Sequence, residues 1–252
     1  MRKQKTIDEI MSQFPKSRKP LPDAYQKIYE QHYSENRTAA TKASKATAFM
    51  ESWCHKHVAK TSDHIKNGAT LEIGAGTLNQ FKYEKKAGVY DIVEPYSLLF
   101  QNSTFLKFVD NIYDDISLIP LEKKYDRITS VASFEHILNL PDVIKRCGLL
   151  LKEEGVLSVS IPNEGRFLWK FAYRNTSGRE FFRRFGLEYD IIMHYEHVNT
   201  ADEIETLIKY FFQDVSLSLC GIGKNFSFYR YYLCRKPNIS RCKESRWNSY
   251  YE

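Results

Sequence analysis

Short apolar runs alternate with helix-like stretches along most of this chain, and that alternation constrains its fold more than any other feature. From Gly68 onward the runs are ATLEIG, GVYDIVEP, FLKFVD, YDRITSVASF and GVLSVSIP. Strands that alternate with helices form βαβ units, whose strands lie side by side in a mostly parallel sheet. Two more apolar runs, around 214–219 and 226–234, predict two last strands with GIGKN between them. The sequence therefore predicts a single α/β domain.

The other segments are expected to surround that sheet. Residues 22–60 have helical periodicity, and Tyr25, Tyr29 and Tyr33 recur on one helix face. Residues 165–198 interrupt the strand–helix alternation with an aromatic, arginine-rich stretch. We predict a basic N-terminal arm (1–21), a helical cap (22–64), an α/β domain (65–235) with an inserted lid (165–198), and a basic C-terminal tail (236–252).

Composition excludes several classes of protein. Apolar residues make up 42% of the 252 positions, which is enough for a sizeable core. The chain has no run of about 18 apolar residues, and no apolar stretch follows its basic N-terminus, so we expect neither a transmembrane helix nor a secretory signal. The five cysteines are scattered without a CxxC pair or a Cys/His cluster. We therefore expect a cytoplasmic protein with reduced thiols, no disulfide framework and no metal site.

The net charge of +6 is concentrated at the two ends of the chain. Residues 1–20 carry six basic and two acidic side chains, and residues 235–252 carry five and two. The rest is nearly neutral, whereas a nucleic-acid-binding domain usually carries its positive charge on a folded face. We interpret the ends as solvated tails, with weak attraction to an anionic surface as the alternative, and do not expect a nucleic-acid partner.

Segment 71–79, LEIGAGTLN, carries the clearest chemical signal. A buried strand there ends in a glycine turn, which we expect to open a helix. Gly74 and Gly76 permit a sharp turn and let a ligand approach the backbone closely. A dinucleotide fingerprint would require a third glycine where this chain has Asn79. The turn therefore argues against a bound pyrophosphate.

Two acidic positions favour a nucleoside ligand. Glu94 ends the second predicted strand, 20 residues after Gly74, where a carboxylate can accept hydrogen bonds from both ribose hydroxyls. The third strand region ends in Asp114 and Asp115, and a carboxylate at that turn can accept a hydrogen bond from an adenine amine. A helix cap explains Asp115 equally well, and both interpretations stay open.

The series LEIGAG, IVEP, YDDI, YDRITSVASFEHI and LLLKEEGVLSVSIPNEG resembles the Rossmann-like, class I S-adenosylmethionine-dependent methyltransferases over about residues 65–235. The resemblance implies a doubly wound, mostly parallel seven-stranded sheet with an antiparallel closing strand. It also implies S-adenosyl-L-methionine as cofactor and S-adenosyl-L-homocysteine as product. The whole-chain pattern, including Tyr25, Tyr33 and Arg37 in the cap and the EHVN segment, is similar to uncharacterised bacterial methyltransferases of surface-polysaccharide biosynthesis.

By position, the resemblance also implies a set of cofactor-binding residues. The set comprises Glu72, Gly74, Ala75 and Gly76 under the methionine part, Glu94 at the ribose, Asp115 and Ile116 at the adenine, and Ser133 and Glu135 beside the methyl group. Asp114, one residue away, is an alternative to Asp115. One departure from the family pattern is Pro95, which removes a backbone N–H from the turn after Glu94. We expect the ribose contact to survive this change.

Two histidines near the expected methyl position indicate how an acceptor could lose its proton. His136 follows the fourth predicted strand and His197 follows the lid. Histidine is the natural general base near neutral pH, so either could deprotonate a hydroxyl acceptor. Positioning without proton transfer is the alternative for both. The chain lacks the (Asp/Asn/Ser)-Pro-Pro-(Tyr/Phe) motif that accompanies methylation of adenine amines in this superfamily.

The lid is the best sequence indicator of the acceptor. Arginine forks bind phosphate or carboxylate, so we predict that Arg166 and Arg174 contact an anionic acceptor together with Tyr25, Tyr33 and Arg37. The alternative is an amphipathic hairpin with solvated arginines. We expect O-methylation of a small anionic or saccharide-type acceptor in bacterial capsule or lipopolysaccharide biosynthesis. The alternatives are small-molecule N-methylation, nucleic-acid methylation, or an inactive cofactor-binding regulator.

Overall fold

A seven-stranded mixed sheet forms the centre of the protein. The computed structural model describes residues 6–29, 45–63, 65 and 67–244. The strands in chain order are β1 (Thr70–Ile73), β2 (Tyr90–Val93), β3 (Asn111–Tyr113), β4 (Tyr125–Val131), β5 (Leu151–Pro162), β6 (Phe212–Ile222) and β7 (Phe226–Pro237). Their spatial order is β3-β2-β1-β4-β5-β7-β6. The predicted seven-stranded α/β fold is therefore confirmed.

The strand directions place a potential binding site at one edge of the sheet. Strands β1 to β5 run parallel, whereas β7 runs antiparallel to both β5 and β6. The strand order reverses at the β1–β4 pair, which is in register from Thr70 with Arg127 to Ile73 with Ser130. Doubly wound sheets bind their ligands at the carboxyl ends of strands beside such a reversal. The loops after β1 and β4 therefore meet where a ligand is expected.

Helices cover both faces of the sheet. They are α1 (Ile7–Met11), α2 (residues 23–29), α3 (Lys45–Ala59), α4 (Leu140–Leu150), α5 (Phe167–Asn175), α6 (Ser177–Phe185), α7 (Tyr189–Glu196), α8 (Ala201–Phe211) and α9 (Ile239–Lys243). Helices α1, α4, α8 and α9 pack together, and α3 lies across β4, β5 and β7. Within the described part of the chain, no helix has the length and apolar character needed to cross a membrane.

Two local predictions in the first half of the domain are wrong. The turn after β1 opens only a 3-10 turn, Asn79–Lys82, because the buried Leu78 before it adopts a left-handed backbone with φ 63°. The run FLKFVD forms a 3-10 turn at Leu106–Phe108 instead of a strand. Phe105, Leu106 and Val109 of this run pack against a small hydrophobic cluster that contains Phe81 and Phe100.

The basic N-terminal segment is part of the folded domain, so the expectation of a solvated arm is wrong for residues 6–21. A capping box between Thr6 and Glu9 starts α1. Ile10 and Met11 are then each 2% exposed and join the main hydrophobic core. Lys16 donates from Nζ to Glu203 Oε2 at 2.9 Å, and its backbone N–H donates to the Leu138 carbonyl at 2.9 Å. Burial of apolar residues outweighs the charge of this segment.

The described part of the C-terminal tail is also ordered. Strand β7 extends to Pro237, beyond the predicted domain end, and α9 follows it. Cys242 on α9 is fully buried and joins the main core. The solvated-tail interpretation is therefore wrong for residues 236–244 as well.

The segment predicted as a lid packs against residues at the start of the predicted cap. It consists of α5, α6 and α7, and a hydrophobic cluster joins Leu21 and Tyr25 to Phe181 on α6 and Ile192 on α7. The opposite face of α6 carries exposed arginines. Helix α6 therefore has the amphipathic character of the alternative considered for the lid, in which aromatic residues pack inward and arginines are solvated.

Candidate active site

A cleft lies at the carboxyl ends of β1, β2 and β4, where the strand order reverses. Its volume is about 760 Å³, which is in the range of small-molecule and cofactor sites. Its walls come from the loops after β1 to β4 and from residues of the N-terminal segment, α2, α3 and α7. Most residues predicted at the site line it, namely Glu72, Gly74, Ala75, Gly76, Glu94, Asp115, Ile116, Ser133 and His136.

The glycine turn after β1 forms the floor of the cleft. Gly74 and Gly76 adopt φ values of 67° and 52°, which L side chains rarely adopt. A Cβ on Gly74 would lie 2.1 Å from Ser133 Oγ, whereas a Cβ on Gly76 would meet no atom within 4 Å. Ala132, with φ 49°, turns the loop after β4 toward the same point. Gly74 is therefore required by a close approach between two loops, and Gly76 by backbone conformation alone.

Glu94 braces this turn from the end of β2. Its Oε2 accepts a hydrogen bond from Gly76 N at 2.8 Å, and its Oε1 accepts one from Tyr96 N at 3.1 Å. Pro95 lacks an N–H, and the next residue supplies the donor instead. The carboxylate is 5% exposed yet lines the cleft, where each oxygen keeps a second lone pair. Glu94 is therefore oriented by the backbone and remains able to accept from a ligand.

Glu72 and Asp115 are two further carboxylates that line the cleft. Glu72 Oε2 accepts from the Tyr90 hydroxyl at 2.8 Å, and burial raises the pKa of Glu72 to about 8 despite that hydrogen bond. Asp115 Oδ1 accepts from Ser117 N at 2.7 Å and caps a 3-10 turn, as the alternative interpretation holds. Asp115 also lines the cleft next to Asp114. The cap and the ligand-binding roles are therefore compatible.

Two histidines and one glutamate come together beside the cleft. His136 lines it, and its ring lies edge-on to the His197 ring with centroids 4.8 Å apart. Glu135 is 1% exposed, and its Oε1 lies 3.9 Å from His136 Nε2. Glu135 does not line the cleft, because the 3-10 turn Phe134–His136 buries its carboxylate beneath. Direct contact of Glu135 with a cofactor, as the resemblance implies, is therefore not what the structure shows.

Each histidine is oriented through its Nδ1. His136 Nδ1 lies 3.0 Å from the Glu196 carbonyl, and His197 Nδ1 lies 3.0 Å from Glu164 Oε2. Burial acts to lower the pKa of His197, but Glu164 and Glu135 outweigh it and raise that pKa. Burial likewise raises the pKa of Glu135, to about 7. Because a carbonyl only accepts, the proton of neutral His136 is assigned to Nδ1, which leaves Nε2 with a lone pair.

This arrangement agrees with a comparison against known protein families. Residues 44–214, more than half of the chain, match the profile described as a methyltransferase domain. The chain belongs to this methyltransferase family. No match was found among curated protein sequences.

Solved methyltransferase structures share the fold. The plantazolicin methyltransferase BpumL in complex with SAH is 15% identical, with a TM-score of 0.62 over 91% of this chain and 99% of that one. A possible histamine N-methyltransferase from Thermotoga maritima is 14% identical, with a TM-score of 0.52 over 84% and 99%. A methyltransferase from Clostridium acetobutylicum is 14% identical, with a TM-score of 0.51 over 83% and 98%.

Family and fold together confirm the predicted S-adenosylmethionine-dependent methyltransferase. At identities of 14–15%, the solved structures show the fold and do not transfer an acceptor. The predicted resemblance to polysaccharide enzymes has no support in these comparisons, and the acceptor stays a matter for proposal.

Several residues that sequence reasoning missed line the far end of the methyltransferase cleft. Arg18 donates from Nη2 to the His136 carbonyl at 2.9 Å and from Nε to the Tyr195 carbonyl at 3.1 Å. Tyr29 and Tyr195 meet edge-on with ring centroids 5.1 Å apart. Arg18, Tyr29 and Tyr195 all line the cleft, together with the predicted His136. Tyr29 has a signal in the sequence, because it belongs to the tyrosine periodicity of the predicted cap. Arg18 and Tyr195 have none.

Two predicted acceptor-binding arginines do not reach the cleft. Arg166 Nη2 forms an ion pair with Asp202, and Nη1 donates to Asn225 Oδ1 at 3.0 Å. Arg174 binds Asp190 through Nε and Nη2. Aspartates on neighbouring helices therefore satisfy both guanidinium groups, and neither lines the site. The prediction overlooked these partners because they follow the arginines at a distance in the chain.

The predicted cap residues have a different outcome. Tyr25 is 6% exposed and packs in the cluster with the lid, where its hydroxyl accepts from Glu188 N at 3.0 Å. It joins cap to lid and does not line the cleft. Tyr33 and Arg37 lie outside the described residues.

Proposed function

We propose that this methyltransferase transfers the methyl group of S-adenosylmethionine to an oxygen of a small anionic or saccharide-type acceptor. One observation carries the proposal: a single cleft joins the braced carboxylate of Glu94 at one end to His136 and Arg18 at the other. A nucleoside-binding half and a half suited to an acceptor thus share one space. The volume of about 760 Å³ has room for a cofactor and a small second ligand.

The residues of the first half fit the cofactor. Glu94 offers lone pairs to the ribose hydroxyls, and Asp114 or Asp115 offers one to the adenine amine beside Ile116. The bare backbone of Gly74, Ala75 and Gly76 permits close approach of the methionine part, with Ser133 opposite. When bound, S-adenosylmethionine supplies a methyl group whose carbon–sulfur bond breaks with its electron pair going to sulfur.

Arg18 supports an acceptor with negative charge. Its guanidinium makes two hydrogen bonds to backbone carbonyls, and no described carboxylate forms an ion pair with it. Its remaining N–H groups can bind a carboxylate or phosphate of the acceptor. Arg18 takes the role that the sequence suggested for Arg166 and Arg174.

The histidine pair supports an oxygen nucleophile. A hydroxyl must lose its proton as its oxygen bonds to the methyl carbon, and His136 Nε2 has the lone pair to help at that end of the cleft. His197 and Glu135 lie behind it. The saccharide class, including capsule or lipopolysaccharide intermediates, rests on the sequence resemblance, and Tyr29 and Tyr195 supply rings on which a sugar can stack.

The proposal is tested by methyl transfer from radiolabelled S-adenosylmethionine to matched acceptors. Sugar phosphates and hydroxy acids are compared with their amino analogues and with neutral sugars. We expect label only on hydroxyl or carboxylate oxygens, with the anionic members preferred. Label on the amino analogues alone would replace O-methylation by N-methylation.

His136→Asn is the matched variant for the acceptor half. We expect kcat to fall by about 100-fold while the affinity for S-adenosylhomocysteine stays near that of the unaltered protein. His194→Asn is the control, because His194 is exposed on α7 and its Nδ1 bonds the Asp190 carbonyl one turn earlier in the same helix. Unchanged turnover in His136→Asn, with methyl transfer rate-limiting, would remove His136 from catalysis.

A further inference from the structure

The most unusual group near the cleft is the cluster of Glu135, His136 and His197, hereafter the Glu-His-His cluster. One ligand-type atom from each residue lies within 4.8 Å of the other two. The residues come from two elements, the 3-10 turn after β4 and the end of α7. A search of the sequence for short metal motifs could not find them, because His197 is remote from the other two.

One oxygen of the Glu135 carboxylate lacks the hydrogen-bond partner that its burial demands. The side chain is 2% exposed, and Oε2 is buried without a hydrogen bond. A buried carboxylate oxygen left unsatisfied is costly, and native proteins normally compensate it with a donor or a cation. The closest histidine nitrogen, His136 Nε2, is 3.9 Å from Oε1, which is beyond hydrogen-bond distance.

Both histidines are held in the manner of metal ligands. Each uses Nδ1 to bond an acceptor, which is the Glu196 carbonyl for His136 and the Glu164 carboxylate for His197. Metal-binding histidines almost always donate their second ring N–H to such a carbonyl or carboxylate, which fixes the ring and the tautomer. In this tautomer both Nε2 atoms carry lone pairs. Trp169 Nε1 also donates to Glu164 at 2.6 Å, so Glu164 is itself oriented.

We propose that the Glu-His-His cluster binds one divalent first-row transition ion, such as Mn²⁺ or Zn²⁺. Two imidazole nitrogens and one carboxylate oxygen are a donor set for these ions and a poor one for Mg²⁺, which prefers oxygen ligands. Bonds of about 2.0–2.2 Å require the three atoms to close to roughly 3–3.5 Å, which small side-chain rotations can achieve.

An ion held by three protein ligands keeps open coordination positions. Because His136 lines the cleft, one of these positions would face the cleft. Resting on the proposed O-methylation, we assign that position to the acceptor oxygen. With the ion bound, His136 Nε2 is a ligand and no longer a base. The ion then takes over that part of the proposed function, because it would orient the acceptor oxygen and favour its deprotonated form. The expected absence of a metal site, drawn from cysteine spacing, is replaced by this proposal.

The test is calorimetric titration of the full-length, chelator-treated protein with Mn²⁺, and separately with Zn²⁺. We expect one ion per chain, with affinity reduced tenfold or more in Glu135→Gln and in His197→Gln. Glu164→Gln should weaken binding less, because Glu164 acts through His197. His194→Gln is the control and should bind the ion as the unaltered protein does.

Circular dichroism and S-adenosylhomocysteine titration establish that each variant is folded. Absence of one-to-one binding, or equal affinity in Glu135→Gln, His197→Gln and His194→Gln, would overturn the metal site. Undiminished methyl transfer by the chelated protein would overturn the role assigned to the ion while leaving O-methylation intact. If the protein binds Mn²⁺ but no S-adenosylhomocysteine, the proposed function fails and the metal site stands.

Discussion

The two ends of the cleft are built in opposite ways. The donor end, from Glu72 to Ile116, is formed by turns that directly follow β1, β2 and β3, and its key contacts involve the backbone. The acceptor end brings together Arg18, Tyr29 and Tyr195 from segments far apart in the chain. Under the proposed function, recognition of the donor is therefore fixed by the sheet itself. Recognition of the acceptor then depends on packing between outer segments, and it can change while the sheet stays the same.

The largest expected effect is on the donor end, at Gly74. Gly74→Ala places a Cβ 2.1 Å from Ser133 Oγ at a φ of 67°, so the two loops must separate. We expect affinity for S-adenosylhomocysteine, measured by calorimetry, to fall about 100-fold or more, roughly 3 kcal/mol. If the donor end were as adaptable as the acceptor end, the loss would be slight.

Gly76→Ala is the matched control for that variant. Its Cβ would meet no atom within 4 Å, so only backbone strain at φ 52° remains. We expect a loss of about 1 kcal/mol, or roughly fivefold. Equal losses at Gly74 and Gly76 would mean that the close approach to Ser133 is unimportant.

The next effect concerns Glu94, which belongs to the donor end by both its backbone bonds and its free lone pairs. Glu94→Ala removes an acceptor from the ribose and two bonds that brace the glycine turn. We expect S-adenosylhomocysteine binding to weaken by roughly 1–3 kcal/mol. Glu94→Gln keeps one acceptor oxygen and should lose less. An affinity equal to that of the unaltered protein would remove Glu94 from the site.

A smaller effect, confined to the acceptor end, is expected at Arg18. Arg18→Met should raise KM for an anionic acceptor about tenfold and leave S-adenosylhomocysteine affinity unchanged, because a charged hydrogen bond is lost only on the acceptor side. Arg174→Met is the comparison, since Asp190 already binds that guanidinium. If Arg18→Met instead weakened the cofactor alone, Arg18 would belong to the donor end.

The smallest effect tests how the N-terminal segment is anchored beside the acceptor end. Lys16 Nζ donates to Glu203 Oε2 at 2.9 Å and to the Val198 carbonyl at 2.7 Å, with 14% and 9% of the two side chains exposed. Lys16→Met should lower the free energy of unfolding by about 1 kcal/mol, seen as a lower Tm. Lys19→Met, at an exposed position, should leave Tm unchanged.

The sequence predicts which residues line the donor end of the cleft, because they sit at fixed offsets from strands. Gly74 and Glu94 follow the buried strands β1 and β2, and Asp115 follows the more exposed β3. The carboxyl ends of parallel strands must meet at one edge of a sheet. Position along the chain therefore translates into position in space. The mostly parallel seven-stranded sheet and the resemblance to methyltransferases rest on the same regularity.

The acceptor end could not be predicted in this way. Arg18 has no nearby motif, and its place depends on Ile10 and Met11 anchoring the N-terminal segment in the core. Arg166 and Arg174 are suited by residue type to bind an anion, but the fold places Asp202 and Asp190 beside them as partners. Interactions between remote segments decide which charges stay available, and sequence spacing carries no signal for them.

The strand order has a practical consequence for cutting the protein down. The family match ends at residue 214, inside β6, yet β7 lies between β5 and β6 and pairs with β5 from Leu157 to Pro162. A fragment trimmed to residues 44–214 would leave β5 as an open edge carrying the buried residues Val159 and Ile161, a template for aggregation. It would also lack Arg18 and Tyr29. The span that family comparison recognises is thus shorter than the smallest piece expected to fold or to bind an acceptor.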